Sequence, residues 1–164
     1  MNIDDIKNMA VIGAGNMGHQ IAMLCAIHGY KTVCTDINTE ILNKAENFAD
    51  TYLAGRVKKG RLTEEQAKAA RERISFTSSM ADAVKDADYV IEAVLEVLDL
   101  KRKIFADLDK MAPTHAILAS NSSAIISSRI ADATNRPEKV LNVHFFNPAL
   151  VMKLVEVVQG PHVS

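Results

Sequence analysis

The sequence predicts a doubly wound α/β domain, a mostly parallel sheet with a helical hairpin inserted after its second strand. Three observations carry this. A short apolar run, Met9 to Ile12, ends in glycine and leads into a helical pattern and a second short apolar run. Strand-like and helix-like segments then alternate to the end of the chain. No internal repeat, linker or low-complexity stretch divides the 164 residues, so 1–164 read as one domain. That length buries a core without staples.

Met9 to Ile12 is the first strand. From about Asn16 to His28, the apolar residues Met17, Ile21, Leu24 and Cys25 recur at helical spacing, and Gly29 stops the helix. Lys31 to Thr35 is the second strand, closing on Asp36. Strand, glycine turn, helix and strand within about thirty residues make the right-handed crossover unit of a parallel sheet. Thr39 to about Arg56 is the second helix, and Lys58-Lys59-Gly60-Arg61-Leu62 is a basic break. Thr63-Glu64-Glu65-Gln66 has the form of a capping box and opens a helix to about Arg73. This pair is longer than a crossover requires and is expected to stand out from the sheet.

Alternation resumes with a strand at Ile74 to Thr77, a short helix from Met80 to Lys85, and a central strand from Tyr89 to Val94. A helix from Leu98 to Met111 stops before Pro113, and Ala116 to Ser120 is the next strand. A helix is expected near Ile125 to Ala133. The final strands are expected around Val140 to Phe146 and Met152 to Val158.

Composition narrows the function classes. Hydrophobic residues make up 48% and charged residues 24%, and the net charge is -1. Such a balance offers no electrostatic footprint for nucleic acid or an anionic membrane. No apolar run approaches the roughly 20 residues of a spanning helix. The start, Met1-Asn2-Ile3-Asp4-Asp5, lacks the basic and apolar regions of a signal peptide, so a cytoplasmic protein is expected. Cys25 and Cys34 lack the spacing of a metal or redox pair and are expected as buried small hydrophobes, with no metal site.

Gly13-Ala14-Gly15-Asn16-Met17-Gly18 fits G-x-G-x-x-G between a predicted strand and a predicted helix, the context that gives this string meaning. Gly13 permits a tight turn, Gly15 opens the backbone to a pyrophosphate, and Gly18 lets helix and strand pack closely. Asn16 and Met17 complete the turn, whose free N–H groups and helix dipole favour phosphate. Asp36 lies where an acid takes ribose hydroxyls and repels a 2′-phosphate. Ile37-Asn38-Thr39-Glu40 offers no arginine to receive one, so NAD is the expected cofactor of this Rossmann-type unit. His19 is near enough to the phosphates to help, although a solvated or capping role is the simpler expectation. His28, His115 and His162 receive no role.

Polar groups end three predicted strands: Glu96, Asn121-Ser122-Ser123, and His144 to Asn147. In an open parallel sheet, ligands lie beyond the carboxyl ends of the strands. If the last two apolar runs are strands joined at Asn147-Pro148, His144 and Glu156 lie side by side. That suits a proton-transferring imidazole with an orienting carboxylate. Ser123 and Asn147 are placed to hydrogen-bond a substrate oxygen. By itself the segment equally allows a polar pair at the end of a sheet.

These motifs, together with Ala87-Asp88-Tyr89-Val90-Ile91-Glu92-Ala93-Val94, Ala119-Ser120-Asn121-Ser122-Ser123 and His144-Phe145-Phe146-Asn147-Pro148, occur in the order found in one family. Over essentially its whole length the chain resembles the N-terminal NAD-binding domain of L-3-hydroxyacyl-CoA dehydrogenases (3-hydroxybutyryl-CoA dehydrogenase-like). The resemblance implies NAD-dependent interconversion of L-3-hydroxyacyl-CoA and 3-oxoacyl-CoA in fatty acid or butanoate metabolism. His144 would then be the base, Glu156 its partner, and Ser123 the bridge to substrate. Asn147, Asn121 and Glu96 would line the nicotinamide and reaction pocket. The hairpin would be the CoA-contacting arm, with Lys59 a candidate for a CoA phosphate and a solvated basic turn as the alternative.

Ser122 stands where the family usually has threonine, Val97 where asparagine is common, and Ala149-Leu150 where a small residue plus proline is usual. Relatives acting on gulonate or carnitine usually have His-Pro-Phe, and Phe145 argues against them. Family members continue into a helical C-terminal domain that covers the site and makes a homodimer. That half is absent from these 164 residues. The isolated domain is therefore expected to bind NAD with weak activity and to need that domain or a partner chain. The competing reading is a non-catalytic dinucleotide-binding module, a sensor or assembly partner.

Overall fold

A computed structural model describes residues 2–163. The strands are β1 (Asn8–Ile12), β2 (Lys31–Thr35), β3 (Ile74–Thr77), β4 (Tyr89–Glu92), β5 (Ile117–Ser120), β6 (Val140–Phe145) and β7 (Val155–Val158). They form one sheet in the order β3-β2-β1-β4-β5-β6-β7. Every pairing is parallel except β6 with β7. Chain order reverses between β1 and β4, so their carboxyl ends flank a topological switch point.

The helices are α1 (Gly18–Ile27), α2 (Thr39–Lys58), α3 (Glu64–Arg73), α4 (Met80–Val84) and α5 (Leu98–Met111). The inner strands are apolar on both faces, as a parallel sheet covered on both sides requires. Alternation along β1 sends Met9 and Val11 to one core with Ile21, Met23 and Leu42. It sends Ala10 and Ile12 to the other, with Phe105, Leu108 and Leu118.

The hairpin forms, with a side-chain cap at the start of each helix. Asn38 accepts from the amides of Glu40 and Ile41 at the start of α2. Thr63 and Gln66 exchange the reciprocal bonds of a capping box at α3. It does not stand free, however: α2 buries Leu42, Ala45, Ala49 and Leu53, and α3 packs on both α1 and α2. Arg71 of α3 pairs with Glu46 and Asp50 of α2 at 2.7 and 2.6 Å.

Three differences from expectation arise because a side chain or turn takes a backbone group. β4 ends at Glu92 rather than Val94, since the Glu92 carboxylate itself accepts the Val94 amide at 2.7 Å. The stretch expected as a helix near Ile125–Ala133 is instead a pair of 3-10 turns, Ser127–Arg129 and Ala131–Ala133. There the Ile125 carbonyl accepts from the Asn142 side chain, which diverts it from helix bonding. β7 starts at Val155 rather than Met152, because the Val151 and Met152 amides both turn back to the Pro148 carbonyl.

Two fastenings secure the frame away from the switch point. Arg136, 8% exposed, pairs with Asp109 and donates to the carbonyls of Asp109, Ala112 and Pro113, closing the carboxyl end of α5. Asp88 accepts from the Lys7 and Asn8 amides and from His115 at the amino end of the sheet. Cys25 and Cys34 are buried free thiols, and burial pushes both up to about 12, which leaves them inert. No helix among the described residues is long and apolar enough to cross a membrane.

Candidate active site

The glycine turn after β1 is shaped by close backbone approach. Gly13 has φ +97°, and a Cβ there would lie 2.8 Å from the Ala93 carbonyl oxygen at the end of β4. A Cβ on Gly18 would lie 1.7 Å from the Gly13 carbonyl oxygen. At Gly15 nothing lies within 4 Å, so the missing side chain leaves open space rather than a protein contact. Among the described residues, the amides of Gly15, Asn16 and Met17 donate to no protein group. Open space bounded by free N–H groups at a helix N-terminus fits a pyrophosphate. Asp36 accepts from the Ala14 amide through one oxygen and from Asn38 through the other, each at 2.9 Å. Its carboxylate is thereby held beside the turn with acceptor capacity left for ribose hydroxyls. His19 is fastened locally: its Nδ1 lies 2.6 Å from the Gly15 carbonyl oxygen, and its ring meets Phe48 edge-on at 4.5 Å.

At the far edge, β6 and β7 pair in a register that sets His144 directly opposite Glu156. His144 Nδ1 lies 3.0 Å from Glu156 Oε2, and Nε2 lies 3.0 Å from Ser123 Oγ. A carboxylate only accepts, so Nδ1 carries the proton and Nε2 turns its lone pair toward the Ser123 hydroxyl. Phe146 packs against the imidazole at 4.9 Å. The imidazole is 23% exposed and Glu156 52%. The imidazole is thus oriented from behind and open in front.

Ser123 sits on a turn after β5 that a distant carboxylate holds in shape. Glu96, from the loop after β4, accepts from the amides of Ala124 and Ile125 at 3.1 and 3.3 Å, and from the Ser122 hydroxyl. Burial pushes the Glu96 carboxyl up, but the Ser122 hydroxyl, the Ala124 amide and the Lys101 ammonium outweigh it and hold the carboxyl below its ordinary range. Asn121 ties the same turn to β6 by accepting the Phe145 amide at 2.9 Å.

The structure therefore gathers His144, Glu156, Ser123, Asn121 and Glu96 at one edge of the sheet, along with Gly13, Gly15, Gly18 and Asp36 on the other side of the switch point. Asn147 and Lys59 do not join them. Asn147 is exposed and makes no hydrogen bond to His144, Ser123 or Glu156. Lys59 is exposed at the carboxyl cap of α2. Two residues the sequence reading passed over belong to the site's support. Glu92, in the central strand, is wholly buried, and Lys101 of α5 lies 2.7 Å from it. The available signal was a lone acid inside an apolar strand. A small cleft of about 90 Å³ lies against Ser123, Ile125, His144 and Glu156. A larger one, about 270 Å³, lies beside the amino ends of β1 and β2, away from this chemistry.

Comparison with known proteins shows the family and the fold. Residues 8–164 match the family described as "3-hydroxyacyl-CoA dehydrogenase, NAD binding domain". The Bacillus subtilis (strain 168) protein named "Probable 3-hydroxybutyryl-CoA dehydrogenase" is 41% identical over 156 residues, spanning 95% of this chain and 54% of that protein. The mitochondrial hydroxyacyl-coenzyme A dehydrogenase of Rattus norvegicus is 40% identical over 166 residues, spanning 97% of this chain and 52% of that one. The crystal structure of 3-hydroxybutyryl-CoA dehydrogenase from Escherichia coli K12 superposes with a TM-score of 0.94 at 39% identity, covering 100% of this chain and 34% of its own. The chain spans about half the length of the first two relatives and a third of the last.

Proposed function

Because this chain belongs to the 3-hydroxyacyl-CoA dehydrogenase family as its NAD-binding domain, we propose that it forms the cofactor-binding and proton-transferring half of an enzyme that interconverts L-3-hydroxyacyl-CoA and 3-oxoacyl-CoA. The observation that carries this reading is the Ser123–His144–Glu156 chain at 3.0 Å per step, at the same sheet edge as the glycine turn. NAD, when bound, supplies the hydride acceptor for alcohol oxidation and the donor in reverse. Gly15, Asn16 and Met17 receive the pyrophosphate on their amides, and Asp36 takes the ribose hydroxyls. Asn121 and Glu96 border the nicotinamide side. Nε2 of His144 takes the substrate hydroxyl proton, Glu156 stabilises the resulting imidazolium, and Ser123 aligns the substrate oxygen. Asn147, exposed just beyond β6, would reach substrate as a second donor only once the site is covered, and Lys59 would receive a CoA phosphate.

An apolar rim supports the reading that further polypeptide, from the same gene or a partner chain, covers this edge in the working homodimer. Leu95 and Val97 flank Glu96, Ile126 follows the serine turn, and Val157 flanks Glu156; these four are 74%, 52%, 57% and 65% exposed. Site closure by such a cover excludes water and completes a substrate pocket. A cytoplasmic setting is part of the same reading.

The test is NADH oxidation with acetoacetyl-CoA, comparing this chain with a version extended to the length of its relatives. We expect NAD binding with little turnover by the chain, and efficient turnover by the longer protein. His144→Ala in the longer protein should lower kcat by about 10²- to 10⁴-fold. Tight NAD binding with no turnover in any form would instead identify a dinucleotide-binding module without catalysis.

A further inference from the structure

The buried side chains behind the serine turn carry an inference about the site's precision. Glu92 on β4 and Lys101 on α5 are 0% and 1% exposed, a buried ion pair. Such a pair is a poor source of stability, because desolvation offsets most of the attraction. Departures from local rules of this kind collect at functional sites. The other buried ion pair, Arg136 with Asp109, spends its remaining donors on backbone carbonyls and closes a helix. Lys101 places one donor on the Val94 carbonyl at 3.5 Å and turns another toward the site.

Its ammonium lies 2.7 Å from Glu92 Oε1 and 3.4 Å from Glu96 Oε2. Glu92 is held in turn by the Ser120 hydroxyl and the Val94 amide, each at 2.7 Å. Glu96 Oε1, on the other side of its carboxylate, caps the Ala124 and Ile125 amides of the turn that carries Ser123. Ser123 Oγ then lies 3.0 Å from His144 Nε2. The path runs from a fixed buried charge, through an exposed carboxylate, to the hydroxyl on the base, without a gap longer than 3.4 Å in the distances above.

We infer that Lys101 is a positioning residue: anchored by Glu92, it fixes the Glu96 carboxylate as the cap of the serine turn and so sets the Ser123–His144 hydrogen bond. Lys101 is nearly sealed from solvent, so its influence on substrate passes through Glu96. Removing the ammonium leaves Glu96 held only by the groups it caps, through Oε1, so that carboxylate and turn can shift together. The displacement needed is small, since misplacement by about 1 Å can cost 10²-fold in rate.

The inference rests on the proposed dehydrogenase reading for its kinetic arm but not for its spectroscopic one. Three proteins are compared with the parent: Lys101→Met, the double variant Lys101→Met/Glu92→Gln, and Ser123→Ala. The double variant leaves no uncompensated buried charge, so its comparison with the single variant separates a folding loss from a loss of positioning. On the chain itself, ¹⁵N NMR of the His144 ring reports the Ser123 bond. The Nε2 resonance of both Lys101 variants should move toward that of Ser123→Ala. In the protein extended to its relatives' length, kcat should fall about tenfold to a hundredfold in both Lys101 variants, with the larger part of the loss in kcat rather than in the KM for NADH. A double variant with the parent's Nε2 resonance and parent kcat would overturn the inference, making Lys101 a counterion for Glu92 and nothing more. If the parent shows no turnover, the dehydrogenase reading fails, and the resonance comparison still decides the role of Lys101.

Discussion

Two turns at the carboxyl edge of the same sheet are held in shape by opposite means. The turn after β1 is a backbone device, made by glycines that let Gly13, Gly18 and the end of β4 touch without side chains between them. The turn after β5 is a side-chain device, in which Glu96 arrives from another loop to cap the Ala124 and Ile125 amides. Free amides remain at the first turn, whereas at the second a carboxylate consumes them. The difference matches the proposed tasks. One turn presents N–H groups to an anionic ligand, and the other holds a hydroxyl still beside a base.

The comparison predicts unequal responses to substitution. Gly18→Ala should be the most damaging to the fold. Its Cβ would meet a carbonyl oxygen at 1.7 Å, and overpacking against backbone costs about 3 kcal/mol or more. Urea denaturation measures that loss; a fully stable Gly18→Ala protein would mean the turn is softer than its contacts indicate. Glu96→Ala comes next. Uncapping the Ala124 amide and the Ser122 hydroxyl, while the Ile125 amide keeps Ser122 Oγ at 2.8 Å, should cost about 1–3 kcal/mol by the same measurement.

Asp88 serves as a control remote from both turns. Despite burial, which pushes it up, the amides of Lys7 and Asn8 with His115 lower its carboxyl from the ordinary 3.8 to about 2. The folded state therefore binds fewer protons, and the stabilisation is complete above about pH 4 and is lost as pH falls toward 2. Asp88→Asn should remove on the order of 1–2 kcal/mol near neutrality and flatten the acid limb over that window. NAD affinity and the His144 resonance should stay where they are. The smallest effect on stability belongs to Gly15→Ala. With nothing within 4 Å, it should change the unfolding midpoint little, yet weaken NAD by about tenfold or more in calorimetry, because the methyl occupies the space of the pyrophosphate. Equal losses of stability at Gly15 and Gly18 would break the distinction.

Much of the first turn was readable from residues alone. Gly13, Gly15, Gly18 and Asp36 lie within one crossover unit, where local backbone geometry dictates both structure and chemistry. The pairing of His144 with Glu156 was also foreseeable, because antiparallel strands joined by a short connection place residues in register across from each other. The expected helix near Ile125–Ala133 failed because its apolar spacing was local while the competitor for its first carbonyl, Asn142, sits seventeen residues further on. Glu92 and Lys101 were passed over for a related reason. An acid in a strand and a lysine on a helix ordinarily face water, and here both are buried where the two meet between β4 and α5.

What the sequence determined by itself was the glycine turn, the acid at the end of the second strand beside it, and most of the order of strands and helices. Each depends on residues near one another in the chain, where propensity and spacing act directly. What only the tertiary structure decided was how the serine turn is held against the base, since Glu96, Lys101 and Glu92 meet it across separate elements. Burial turns two ordinary charges into a fixed support, and burial belongs to the packed fold.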